Sequence, residues 1–380
     1  MLSREENDFY TCVGPGTPAG EMLRRYWHPI GFAAELKKRP IKKRLLGEDL
    51  VLFRDDAGNL GLLTLRCAHR GTSLEFGHIE DGGLRCCYHG WLYAVDGRVM
   101  EQPGEPPESN FKERVRQRAY KVEELGGVVF AYLGPDPAPL LPRYDVLVRE
   151  DGMRARQGRL VHCNFFQMIE NSVDQHHLKW LHRTASTPTW DDGEINPQSF
   201  EHGIVNTYTR RVDGRKWAHV NYFVMPTMNK TGNVEEGHPT EHRASSAGEV
   251  MRWRVPVDDT CSMHFTVEFG AARDGQAVKI MEDRSDQGIV DTKQGVYRWD
   301  DSIGWFARGD QDRAAQESQG TVYDRSTEHL GATDKGVILL RRLYRESIEA
   351  VQKGRDPIGV VRAAAKNEII RLVPHEDLLD

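Results

Sequence analysis

At 380 residues the chain exceeds what one ordinary hydrophobic core organises, so two domains are expected. Its 51 Lys+Arg against 57 Asp+Glu leave a net charge of −6, and the basic residues are scattered instead of forming a stripe with interleaved aromatics, which argues against a nucleic-acid partner. No apolar run approaches the ~20 residues of a membrane helix, and MLSREENDFY lacks the basic-then-apolar layout of a secretory signal, so a soluble, cytoplasmic protein is expected.

Residues 1–26 read as an N-terminal arm in which Gly14, Pro15, Gly16 and Pro18 break the chain before a short helical stretch from Glu21 to Trp27. From 27 to 136 the pattern is of short strands with turns. RLLGEDLVLFRDDAGNLGLLTL holds two β-like runs around Asp56-Ala57-Gly58-Asn59, LYAVDGRVM carries the hairpin signal Asp96-Gly97, and GGVVFAYLG is a further apolar strand. This predicts a small all-β domain. The stretch Gly134 to Pro142 has four prolines in nine residues and continues neither sheet nor helix, which places a boundary there.

In the second domain, 137–380, HCNFFQMIENSVDQHHLKWLH reads as one helix. IVNTYTRRV, AHVNYFVMP, EVMRWRVPV and SMHFTVEFG then read as strands of an antiparallel sheet. The segment 333–354 keeps helical spacing at Val337, Ile338, Leu340, Leu343, Tyr344, Ile348 and Val351, with Asp334 as the expected cap and Gly354 as the stop.

Six cysteines are too few for a disulfide framework, and Cys12, Cys163 and Cys261 read as small buried hydrophobes. Cys67-x-His69 and, after sixteen residues, Cys86-x2-His89 differ: two Cys-plus-His pairs on two loops are the ligand inventory of a Rieske centre, with two thiolates on one iron and two imidazoles on the other. A Cys2His2 zinc site is the rival, but zinc fingers pair Cys with Cys and His with His along the chain. Cys87 repeats the Cys-x-His spacing, and Cys86 is preferred as the ligand. His78 reads as a solvated loop residue and Trp91 as a packed aromatic beneath the loop, with shielding of the cluster as its functional alternative.

The helical segment carries Asn171, Asp174, His177 and His182. A two-His, one-carboxylate facial triad leaves positions open on Fe(II), and His177 with His182 form the natural imidazole pair. Asp174, three residues before His177, is expected on the same helix face, where it can fix the imidazole tautomer, with His176 pointing away. Together the two motifs, Cys-x-His…Cys-x2-His and Asn-x2-Asp-x2-His-x4-His, make the chain resemble the α-subunits of Rieske non-haem iron oxygenases. VGPGTPAGEMLRRYW and DQDRAAQESQG…DRSTEHLG are similar to the phthalate dioxygenase-like branch.

That resemblance implies an α+β chain: an all-β Rieske [2Fe–2S] domain followed by a helix-grip (START-like) catalytic domain around a mononuclear iron. It implies Asp312 as the third iron ligand, with Asp310 and Glu317 as alternatives. It further implies a homo-oligomer, commonly trimeric, in which Asp174 bridges His177 to His89 of the partner subunit, and a separate flavin and iron–sulfur reductase that passes on electrons from NAD(P)H. No G-x-G-x-x-G opens a helix in this chain.

The substrate is expected to be aromatic and carboxylated, met by residues of TYTRRVDGRKWAHVNYF: Tyr208, Arg210, Arg211, Trp217 and Tyr222. Because strand neighbours alternate faces, at most one of the two arginines points inward, and surface exposure is the default for each. The polar tract 230–249 reads as a long surface loop, with a lid as the alternative. cis-Dihydroxylation is the first reading of the reaction, O-demethylation or other monooxygenation the second, and a Rieske electron carrier without oxygenase activity a distant third.

Overall fold

The computed structural model of the chain describes residues 2–182, 193–212, 214–231, 248–272, 280–307 and 309–379. Two helices precede the first sheet. α1 (Arg4–Thr11) opens on a capping box: the Ser3 hydroxyl accepts from the Glu6 amide, and the Glu6 carboxylate accepts from the Ser3 amide. α2 (Pro18–Leu23) takes Thr17 as its N-cap and tolerates Pro18 in its first turn, where no intrahelical N–H bond is lost. The helix expected over Glu21 to Trp27 therefore starts earlier and ends at Leu23, because Thr17-Pro18 is a start signal and not a break. This arm is no loose lead-in. Tyr10 stacks on Phe166 with ring centroids 5.2 Å apart, and Asn164 donates to the Thr11 carbonyl.

The next strands are β1 (Trp27–Phe32), β2 (Ile41–Leu45), β3 (Glu48–Arg54), β4 (Leu60–Thr64), β5 (His78–Glu80), β6 (Gly83–Arg85), β7 (Leu92–Tyr93), β8 (Val99–Glu101), β9 (Ala119–Leu125) and β10 (Val128–Tyr132). One sheet runs β1-β10-β9-β4-β3-β2 and a smaller one β5-β6-β7-β8. Alternation along β3 and β4 sends Leu50, Leu52 and Leu62 into the large core shared with the rest of the molecule. Val51, Phe53 and Leu63 go to a small core that also holds Cys67, Cys86 and Trp91.

Beyond the proline-rich stretch come α3 (Asp145–Val148), β11 (Gly152–Val161), α4 (Phe165–Val173), α5 (His177–Leu181), β12 (Glu194–Phe200), β13 (Gly203–Val212), β14 (Arg215–Val224), β15 (Met228–Thr231), β16 (Glu249–Asp258), β17 (Cys261–Ala271), β18 (Ile289–Asp291), α6 (Gln311–Ser318) and α7 (Lys335–Gln352). The sheet order is β12-β13-β14-β15-β16-β17-β11-β18, antiparallel except for β11 with β18. Its two faces differ. On β16 and β17, Met251, Trp253, Val255, Phe265 and Val267 enter the shared core, where Phe265 meets Phe32 at 5.5 Å and Trp253 meets Phe130 at 6.1 Å. The intervening residues Arg252, Arg254, His264 and Thr266 face the other side.

The single helix expected over 162–182 is two, because Asp174 takes an extended conformation (φ −83°, ψ 119°) at the end of α4. α7 lies where expected and packs across β12 and β13, with Gly354 (φ +71°) beyond its end. Asp334 is the N-cap residue as expected, and two details differ: Ile338 is exposed, and the Asp334 carboxylate accepts from the Gly331 amide and not from the helix. Of the polar tract 230–249, residues 232–247 lie outside the described residues. Among the described residues no helix is long and apolar enough to cross a membrane.

His28 on β1 is buried with Nε2 2.8 Å from the Leu23 carbonyl, and burial lowers its pKa to about 4. Between its ordinary value of about 6.5 and about 4 the unfolded chain binds the extra proton, so stability falls as pH falls through that window and levels off below it. The loss expected from this group by pH 4 is about 3 kcal/mol. Urea unfolding midpoints between pH 4 and 7 should show it, and His28→Gln should flatten that part of the profile; an unaltered profile in the variant would remove His28 from the acid response.

Candidate metal centres

The loops carrying Cys67, His69, Cys86 and His89 are built alike. The Cys67 carbonyl accepts from the Gly71 amide at 2.8 Å and the Cys86 carbonyl from the Gly90 amide at 3.1 Å. Gly71 and Gly90 have φ of +75° and +74°, where a side chain would be strained. Both thiols are buried, while the imidazoles sit further out with ring centroids 4.6 Å apart. The Tyr93 hydroxyl lies 3.0 Å from Cys67 Sγ, placed to donate to a thiolate. Burial and the neighbouring Cys67 push the Cys86 thiol up to about 11, so a cationic partner is needed to hold it deprotonated. Trp91 stacks flat on His69, centroids 4.6 Å apart and planes 6° from parallel, and is itself buried. Cys87 is exposed beside buried Cys86, as is His78.

A second group forms where α5 meets α6. His177, His182 and Asp312 each bring one ligand atom within 4.8 Å of the others. Asp312 Oδ1 is 3.6 Å from His177 Nε2 and 3.3 Å from His182 Nε2. The opposite nitrogens are held from outside: His177 Nδ1 is 3.5 Å from Asp174 Oδ2, and His182 Nδ1 donates to Gln311 Oε1 at 2.7 Å. Each ring is thereby oriented with Nε2 toward Asp312, the arrangement that fits imidazoles to a metal. Gln311 is fully buried, and its amide donates to the Phe306 carbonyl at 2.9 Å. Sequence reasoning missed it; adjacency to Asp312 was the only signal available.

Burial alone would raise the Asp312 carboxyl, yet the close His182 imidazole and the charges of His182, His177 and Arg254 hold it well below the usual carboxylate range. Its Oδ1 is buried without a hydrogen-bond partner among the described residues. An ionised, unpartnered oxygen between two Nε2 atoms fits a cation. The alternatives are committed elsewhere: Asp310 to Arg298 and Arg313, Glu317 to Arg313, Tyr297 and the His162 amide.

Asp174 is not on one helix face with His177, since the chain breaks between α4 and α5. It reaches the imidazole from the end of α4, and its Oδ1 accepts from the His176 amide at 2.8 Å. Burial tends to raise its carboxyl, and His177 with the His176 and His177 amides outweighs that and lowers it. Asn171 and Asp174 line an open groove with His177, Leu181, Glu328 and Asp334.

Of the substrate candidates, Tyr208 and Arg210 share one face of β13 and are buried. On that face Asn221 donates to Gln175 between α4 and α5, and Trp217 packs on Leu178, so it is the face toward the metal group. Arg211 and Tyr222 are corrections: strand alternation puts both on the opposite face, with Arg211 exposed and donating to the Gly214 carbonyl.

A model of the Rieske [2Fe–2S] domain matches residues 26–121. The oxygenase subunit of 5,5'-dehydrodivanillate O-demethylase from Sphingobium sp. is 36% identical across 98% of this chain and 86% of its own length. The chain belongs to the Rieske non-haem iron oxygenases. The oxygenase is also 38% identical to the phenoxybenzoate dioxygenase subunit alpha of Ectopseudomonas oleovorans, over 92% of this chain and 86% of that one. Among solved structures its fold is similar to dicamba monooxygenase bound to dicamba, with a TM-score of 0.65 over 88% of this chain and 99% of that chain at 16% identity. The fold is thus an all-β Rieske domain joined to a sheet-rich catalytic part, and the cofactors are a Rieske cluster and a mononuclear iron fed with electrons from outside the chain.

Two substitutions test how the centres are held. Cys86→Ser is expected to abolish the Rieske absorbance and Cys87→Ser to leave it intact; the reverse pattern would shift the ligand by one residue. Gln311→Leu removes the acceptor that orients His182, and a loss of iron affinity of roughly tenfold to a hundredfold is expected in chelator competition, with the cluster spectrum unchanged.

Proposed function

We propose that this oxygenase component hydroxylates a carboxylated aromatic substrate by cis-dihydroxylation. The convergence of His177, His182 and Asp312 in a chain that also carries the paired Cys–His loops supports the reading. Cys67 and Cys86 would hold one iron of the cluster, His69 and His89 the other, and the facial group the mononuclear iron. When bound, these centres supply one-electron transfer and the activation of O₂ at open coordination positions.

The chain's own residues organise that chemistry. Trp91 and Tyr93 cover the inner side of the cluster loops, while His69, Arg66, Arg70 and Tyr88 are exposed at their outer end. The groove around Asn171 and Asp174 carries the carboxylates of Asp174 and Asp334, while Glu328 is neutralised by Arg341, and it offers a complementary surface for those loops on a second copy. In the trimer we infer, Asp174 would accept from His177 of its own chain and from His89 of the partner subunit. The electron donor is then a phthalate-type flavin and iron–sulfur reductase using NAD(P)H, and the protein works in the cytoplasm.

One observation favours a second reading. The Sphingobium relative is named as an O-demethylase, so monooxygenation of an aromatic ether stands beside dihydroxylation. Turnover of paired aromatic acids and aryl ethers under ¹⁸O₂ with a reconstituted reductase separates them: two labelled oxygens in one diol mark dihydroxylation, and formaldehyde marks demethylation. For the bridge, Asp174→Asn should retain cluster and iron but slow reoxidation of the reduced cluster by roughly tenfold to a hundredfold, as expected for loss of a group placed between the two centres. Wild-type rates in that variant would sink the bridging role.

A further inference from the structure

We propose that Arg159, Arg252 and Arg254 form an anion receptor on the iron-facing side of the large sheet, and that the substrate carries two acidic groups which it anchors. The proposal deepens the oxygenase reading and rests on it for the identity of the site.

The register brings the three side chains together. Arg159 on β11 lies opposite His264 on β17, and His264 lies opposite Arg254 on β16. Arg252, two residues before Arg254, shares its face. Of these, Arg254 and His264 are buried, and Arg159 and Arg252 are half-buried. Arg159 donates to the Gly309 carbonyl, three residues before Asp312, which places the group beside the candidate iron site.

Their partners are neutral. Arg159 donates to the Gly309 carbonyl at 2.9 Å, Arg252 to the Thr231 hydroxyl at 2.7 Å, and Arg254 to the Asn229 side chain and the Arg252 carbonyl. Elsewhere this protein pairs its buried cations with carboxylates: Lys43 with Glu35, Lys230 with Asp145, Arg325 with Glu170, Arg341 with Glu328. Among the described residues no carboxylate forms an ion pair with the three arginines of the sheet. Their carboxylate neighbours are Asp312, which a divalent iron more than neutralises, Asp310 and Glu317 near Arg159, which are already ion-paired with Arg298 and Arg313, and Glu268 near Arg252. Buried charge without a counter-charge is disfavoured strongly enough that an anion is the expected partner.

The polar atoms around the group point the same way. Arg254 Nε and His264 Nε2 are buried without a hydrogen-bond partner among the described residues. His264 Nδ1 lies 3.3 Å from Arg159 Nη2, so it accepts there and Nε2 carries the ring proton, an unused donor. One carboxylate engages one guanidinium bidentately. With Glu268 two residues beyond Thr266, the residue opposite Arg252, and so on the same face, two acidic groups on the ligand are what Arg159 and Arg254 require. Arg210, one of the two cations named from the sequence, lies on β13 of the same sheet; the receptor itself lies on β11, β16 and β17.

Calorimetry on the holoprotein tests this without turnover. Benzoate, phthalate, isophthalate and biphenyl dicarboxylate are titrated, each beside its carboxamide, with cluster absorbance and iron content recorded on the same samples. At least one dicarboxylate is expected to bind on the order of tenfold or more tighter than both its diamide and benzoate. Arg254→Gln and Arg159→Gln should each weaken that binding by roughly tenfold or more, with iron and cluster retained, while exposed Arg284→Gln changes nothing. Acids and amides binding alike, or Arg284→Gln weakening binding as much as Arg254→Gln, would overturn the receptor. Tight dicarboxylate binding without any O₂-dependent product would instead count against the oxygenase reading and leave the receptor standing.

Discussion

Helix α4 is held in place by a buried carboxylate between two guanidinium groups. Glu170 accepts from Arg325 at 2.6 Å and from Arg341 at 2.6 Å, Arg341 also binds Glu328, and Arg325 reaches Asn7 at 3.0 Å. The N-terminal arm, α7 and the segment 323–328 therefore converge on one turn of α4. Two cations face two carboxylates, so the network is balanced, and removing one member would strand a buried charge at a cost of about 3–5 kcal/mol. Everything at the metal group is measured from this fixed point, because Asn171 and Asp174 follow Glu170 within a single turn.

From there the chain has to turn. Asp174 leaves helical backbone, and its carboxylate accepts from the His176 amide on one oxygen while the other faces His177 Nδ1. The break that spoils a continuous helix thus sets the orientation of the first imidazole. Gln311 does the same for His182 from the other side, and stands next to Asp312 on α6. Both imidazoles are directed from behind, and the two nitrogens left over face Asp312.

What the sequence made legible follows from distance along the chain. The cluster loops are local, with spacings set by two similar turns, and could be read directly. His177 and His182 lie in one short segment, whereas Asp312 is separated from them by most of a sheet, and only the family resemblance reached it. Gln311 had no pattern at all. Arg210 and Arg211 show a subtler limit: alternation says that at most one of the two faces inward but not which, and the register of β13 on β14 decides for Arg210. Arg159, Arg252 and Arg254 were invisible for the same reason, since their juxtaposition exists only once β11, β17 and β16 are paired.

The two treatments of buried charge in one chain are the strongest clue to what each region is for. Around Glu170, and at Lys43 and Lys230, each buried cation meets a carboxylate within the protein, which holds helices and sheets in register and asks nothing of a ligand. On the other side of the sheet, among the described residues, Arg159, Arg252 and Arg254 donate to an imidazole, an amide, a hydroxyl and carbonyls, and donors remain unused. A structural role would be served better by completing those pairs, because an uncompensated guanidinium destabilises the fold it sits in. Keeping them incomplete is physically reasonable where the missing charge arrives with the substrate, and where binding that charge fixes the position of a ring against the iron.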